Sequence, residues 1–72
     1  MSDITMFAII SSTISAIGYD PDAQELHIIF NGNHEYVYRD VPADLWDQFR
    51  AAESVGRFFH QNIKPVYVGK KI

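Results

Sequence analysis

The clearest periodicity in the chain runs from Glu25 to Asn31. Leu26, Ile28 and Phe30 fall on one side, and Glu25, His27 and Ile29 on the other. A period of two is that of a β-strand with one buried face. Asn31-Gly32-Asn33 follows, and residues that accept positive φ between two alternating runs predict a hairpin. The returning run, His34 to Asp40, carries Tyr36 and Tyr38 on a common side. The loop length decides where these tyrosines point. A two-residue Asn31-Gly32 loop puts Val37 opposite Leu26 and turns both tyrosines away, whereas an odd loop with a bulge sets them beside Leu26 and Ile28. The odd loop is favoured, because it brings more apolar area to the core face and keeps Glu35 off it.

Upstream, Ser11 to Tyr19 suits a strand by composition, but Ile14 and Ile17 are three apart and break the alternation. A β-bulge near Ala16 or Gly18 restores both to one face. Asp20-Pro21-Asp22-Ala23 is a turn signal. After residue 41 the period becomes helical. Pro42 opens a first helix, with Asp44 and Asp47 suited to its positive N-terminal end and Leu45, Trp46, Phe49 and Ala52 on one face. Ser54 caps a second, whose apolar face is Val55, Phe58, Phe59 and Ile63 and which Pro65 ends. Val66 to Val68 forms either a short strand or an extended tail. Strands first and helices afterwards predict an α+β fold: a three-stranded antiparallel meander followed by a two-helix hairpin packed on one face. Its predicted core is Leu26, Ile28, Phe30, Trp46, Phe49, Phe58, Phe59 and Ile63. Residues 1–10 read as an N-terminal arm or edge strand, 11–68 as a single domain, and 69–72 as a basic tail.

With 72 residues there is room for one core only. A chain of this size buries just about 60% of its unfolded surface, which makes the 14% aromatic content its main source of buried area. The absence of cysteine excludes disulfides and thiolate metal sites and suits a cytoplasmic location. Met6 to Ile10 is apolar, but five residues are far short of the roughly 20 a membrane helix needs, so no membrane partner is expected. Residues 1–49 hold eight acids against one base, a net −7; residues 50–72 hold five bases against one acid, a net +4. That basic end suits an anionic partner.

The candidate contacts follow from it. Arg57 and Lys64, seven apart, are expected near one face of the second helix, with Arg50 close by and Lys70 and Lys71 on the tail. Together they suit either a phosphate backbone or a solvated face whose Arg and Lys stems cover apolar neighbours. Tyr36 and Tyr38 serve either as a stacking platform for bases or as packing beneath the helices, and the register favours packing. Ser54 and Gly56 read either as a cap and a close approach or as an anion site formed by free N–H groups at the helix start, with the cap favoured. His27, His34 and His60 lack metal-ligand spacing, so no metal is expected. No nucleophile has a base in pattern and no glycine loop cradles a phosphate, so neither an enzyme nor a cofactor is expected.

The ordered set Tyr19-Asp20, Leu26-x-Ile28-x-Phe30, Gly32, Tyr36-x-Tyr38, Val41-Pro42, Ser54-x-Gly56 and Phe59 with Ile63 resembles the KTSC domain over about residues 11–67. That family is named from a C-terminal extension of some lysyl-tRNA synthetases, and also occurs as small stand-alone bacterial or phage proteins. The resemblance implies a small α+β binding module and suggests RNA or tRNA as its ligand. Its most recognisable element falls on Tyr36 and Tyr38. Val55 stands where family members often carry Lys, and His60 where many carry Asn; the lost Lys removes one phosphate contact. The alternative function is a protein-interaction or adaptor module with no nucleic-acid role. In its simplest form this is a homodimer through residues 6–10.

Overall fold

In the computed structural model, which describes residues 4–72, five strands form one sheet. They are β1 (Met6–Ala8), β2 (Ile14–Asp20), β3 (Glu25–Phe30), β4 (His34–Tyr38) and β5 (Gly69–Lys71), antiparallel throughout and neighbours in chain order. Two helices, α1 (Ala43–Arg50) and α2 (Val55–Phe58), connect β4 to β5, and α2 runs on into a π-helical turn at Phe59–Ile63.

The expected three-stranded meander is therefore the centre of a larger sheet. Within the N-terminal segment read as an arm or edge strand, Met6–Ala8 form the edge strand β1, while residues 1–3 lie outside the described residues. β5 corrects the reading of 69–72 as a tail. Its sequence, Gly-Lys-Lys, has no apolar alternation, so side-chain pattern gives no warning of it. What holds it is backbone pairing to β4 and one packing contact. Gly69 lies opposite Tyr38, and a Cβ there would come 2.5 Å from ring atoms Cε2 and Cζ. The Tyr38 ring occupies the space that any larger residue would need.

The register argument for the centre holds. The slip between Ile14 and Ala16 puts a bulge at Ser15, and both Ile14 and Ile17 are fully buried. The β3–β4 loop is the three-residue one, with positive φ at Gly32 and Asn33. Tyr36 thus pairs with Ile28, and Tyr38 with Leu26, facing the helices. At the other end, the Asp20 carboxylate accepts from the N–H groups of Asp22 (3.0 Å) and Ala23 (3.3 Å), the local bonding that makes Asp a turn residue.

Helices cover one face only. Buried between them and the sheet are Ile14, Ile17, Tyr19, Leu26, Ile28, Tyr38, Val41, Phe49, Val55, Phe59 and Ile63. Three residues expected in the core, Phe30, Trp46 and Phe58, are only partly buried and pack against it. Trp46 stacks on Tyr19 (5.5 Å, 12°) and reaches Phe7 on β1 at 6.3 Å. Too bulky to be enclosed by so small a domain, it closes the side of the core. The Tyr19 hydroxyl donates to the Val41 carbonyl, satisfying both groups in the interior.

Candidate ligand-binding groove

The aromatic residues that the register turns toward the helices are not all sealed. Where α2 gives way to the π turn, an open groove of about 450 Å³ lies between the turn and β4. Phe30, Tyr36, Tyr38 and Phe59 make its apolar part; Thr13, His34, His60 and Lys64 supply its polar groups.

Each part has a local cause. Phe59 is the hub, 3% exposed, with edge-to-face contacts to Phe30 (5.4 Å, 69°), Tyr38 (5.5 Å, 74°) and His60 (5.4 Å, 69°). Phe30 meets Tyr36 in the same way (5.5 Å, 82°). Such T-shaped pairs fix ring orientation as well as bury area. Thr13 is placed by the hairpin tip. The Asn31 side chain donates to the Ser12 carbonyl at 2.8 Å and accepts from the hydroxyl of the bulged Ser15 at 2.5 Å, while its N–H donates to the Thr13 carbonyl at 2.9 Å. Lys64 is swung into position by the π turn, whose signature bond runs from the Lys64 N–H to the Phe59 carbonyl, five residues back, at 2.9 Å. Burial, with a smaller contribution from Tyr36, raises the Tyr38 phenol above its ordinary range, so it remains a neutral hydroxyl.

The structure divides the predicted basic contacts. Lys64 is in the groove. Lys71 is level with Tyr36 on the neighbouring strand, so its side chain leaves the sheet on the same face. Lys70, opposite Val37, leaves on the other face. Arg57 lies elsewhere, in a shallow cleft of about 170 Å³ with Glu53, Ser54 and Gln61. The seven-residue spacing implied two regular helical turns. The π turn consumes an extra residue, so Arg57 and Lys64 part company. Arg50 is held by Asp47 at 3.2 Å and borders a third cleft, beside Phe7, Ile9 and Ile17. Ser54 caps α2, accepting from the Arg57 N–H at 3.3 Å, and Gly56 faces the Ser11 hydroxyl.

The sequence pattern gives His34 and His60 no metal-ligand spacing and does not mark them as groove residues. The signal was present for His34, two positions from Tyr36 and so on its face. For His60 it was hidden by the π turn. His27 points to the uncovered face, with Nδ1 at 3.3 Å from Glu35 and Nε2 at 3.7 Å from Glu25, which also meets Arg39 at 3.4 Å. Among the described residues no group of three or more His, Cys, Asp or Glu is arranged to hold a metal, and no helix is long and apolar enough to cross a membrane.

Known proteins resemble this chain in fold or in sequence. A KTSC domain protein from Yersinia pestis, known from its crystal structure, superposes with a TM-score of 0.92 at 38% identity, covering 97% of this chain and 99% of that one. A protein of Tsukamurella paurometabola is 47% identical over 55 residues, 76% of this chain and 82% of the relative. An uncharacterised protein of Stutzerimonas stutzeri is 38% identical over 58 residues, 81% of this chain and 82% of the relative. The KTSC domain family itself matches residues 10–67, a span that stops short of β1 and β5. With a match of that extent, and relatives this similar in sequence and in fold, the chain belongs to the KTSC domain family.

Proposed function

We propose that this KTSC domain is a non-catalytic binding module whose groove takes single-stranded RNA, an exposed tRNA segment included. In this reading a base lies against the aromatic wall of Phe30 and Tyr36, and the flanking phosphates meet Lys64 and Lys71. The observation that carries it is the convergence of open aromatic surface with Lys64, His34 and His60 in one groove. Aromatic faces stack any base, and lysines at the rim follow the backbone.

The acids of the β2–β3 turn lie away from the Phe30 end of the groove. Asp20 pairs with Glu25 at one end of the sheet, and Asp22 and Asp40 flank the same end. Phe30 and His34 are at the other end, five strand residues away from Glu25, or about 17 Å. For that end of the groove this is twice the screening length of about 8 Å at physiological salt; Glu35, between His34 and Tyr36, directs its carboxylate to the other face, toward His27.

The test is fluorescence anisotropy with a labelled single-stranded RNA and with a tRNA pool, over a salt series. Lys64→Glu and Lys71→Glu should each weaken binding about tenfold or more, while Arg57→Glu, in another cleft, should change it little. Each phosphate contact adds about −0.7 to the slope of log affinity against log salt. No binding at low salt, or an equal loss in the Arg57 variant, would remove the groove from the account.

A further inference from the structure

The two edges of the sheet are built differently. β5 carries Lys70 and Lys71, the kind of charge that keeps an edge strand from pairing with another chain. β1 has no such protection. From Ile4 to Tyr19 the sequence contains no Asp, Glu, Lys, Arg or His. On this neutral edge Phe7 is 50% exposed and Ile10 wholly so.

We propose that β1 is a self-pairing edge, through which two copies of the chain join antiparallel about a two-fold axis and make one continuous sheet. The hydrogen-bond phase of the strand fits. The Ile9 N–H donates to the Ser15 carbonyl at 2.8 Å, in the register that pairs Phe7 with Ile17. Bonded positions alternate along an antiparallel ladder. Phe7 and Ile9 therefore direct their backbone groups inward to β2, and Met6 and Ala8 direct theirs outward. A second copy centred on Phe7 sets Met6 against the partner's Ala8 and Ala8 against the partner's Met6, and each pair exchanges two hydrogen bonds. The two Phe7 rings then meet at the axis, in the non-bonded position where cross-strand side chains come closest.

The seat beside the edge is apolar. Phe7, Ile9 and Ile17 line a cleft of about 190 Å³, bordered by Arg50. Phe7 also ends a row of rings that runs out from the core through Tyr19 and Trp46. The rim holds both signs, since Arg50 is paired with Asp47, so identical rims meet without net repulsion. A second copy is the occupant that the edge specifies. It is uncharged where β1 is uncharged, and it offers open backbone groups at the same alternate positions, as an isologous contact requires. The lysine-bearing β5 would repel its own copy.

Sedimentation velocity of the full chain, from micromolar to millimolar concentration and without RNA, tests this. Ala8→Pro removes an outward N–H and no bond within the chain, and proline is tolerated on an edge strand. Phe7→Lys puts like charges at the axis. The wild type should double in mass as concentration rises. Both variants should remain monomeric with unchanged circular dichroism, and Lys70→Ala should dimerise as the wild type does. A wild type that stays monomeric at millimolar concentration overturns the proposal, and so does a dimer that persists in either folded variant.

Discussion

Replacing Gly69 by alanine tests how the last strand, and with it one side of the groove, is held. An added Cβ would sit 2.5 Å from Cε2 and Cζ of Tyr38 and 2.8 Å from its oxygen. Comfortable carbon contacts are about 3.5–4.0 Å, so ring or strand must move by about 1 Å. The ring has little room, being 6% exposed and packed against Phe59 at 5.5 Å. β5, an edge strand of three residues, is the part that yields. Over-packing of this kind costs about 1–3 kcal/mol. Alanine gives back about 0.4–1 kcal/mol by restricting the unfolded chain. The clash prevails, and Gly69→Ala should lose about 1–2 kcal/mol, a sizeable share of the roughly 4–11 kcal/mol that a domain of this length possesses. Urea unfolding reads the loss. Amide exchange reads its location, because the Ile72 N–H, bonded to the Glu35 carbonyl at 3.0 Å, is protected only while β5 is docked. A variant as stable as the wild type, with Ile72 still protected, would refute the reasoning.

Three further outcomes follow from the core. Tyr19→Phe keeps the stacking on Trp46 but leaves the buried Val41 carbonyl without its donor, and should cost about 1–3 kcal/mol in urea; an unchanged midpoint would show that this bond contributes nothing. Burial raises the phenol of Tyr19, aided by the charges of Asp20, Asp44 and Asp47, and burial likewise raises that of Tyr38. The unfolded chain, with phenols near 10, then gives up these protons first. Stability should hold below about pH 10 and fall as pH rises through the raised values, and melting curves over alkaline pH check the sign. Phe49→Ala empties a side chain that is 0% exposed and should cost about 3–5 kcal/mol; near-native melting would contradict the core.

Much of this molecule can be read along the chain, where pattern and geometry coincide. The bulge that reconciles Ile14 with Ile17, the three-residue turn that brings Tyr36 and Tyr38 to the core face, and the Ser54 cap all follow from spacing and turn chemistry. What escapes the sequence is set by tertiary contact. β5 exists because β4 offers an open edge and Tyr38 a ring that only Gly69 admits. The π turn leaves no mark in the apolar period, yet it separates Arg57 from Lys64 and brings His60 into the groove. Trp46 and Phe30 carry the hydrophobicity of core residues, but a domain this small has no room to enclose every large ring.

The central claim is that the groove between β4 and the π turn is where this domain meets its ligand. An amide NMR titration of the labelled protein with single-stranded RNA, at low and near-physiological salt, tests it most directly. The account predicts shifts gathered on Thr13, Phe30, His34, Tyr36, His60, Lys64 and Lys71 that persist at the higher salt. Shifts confined to the surroundings of Arg50 and Arg57, or none at either salt, would contradict it.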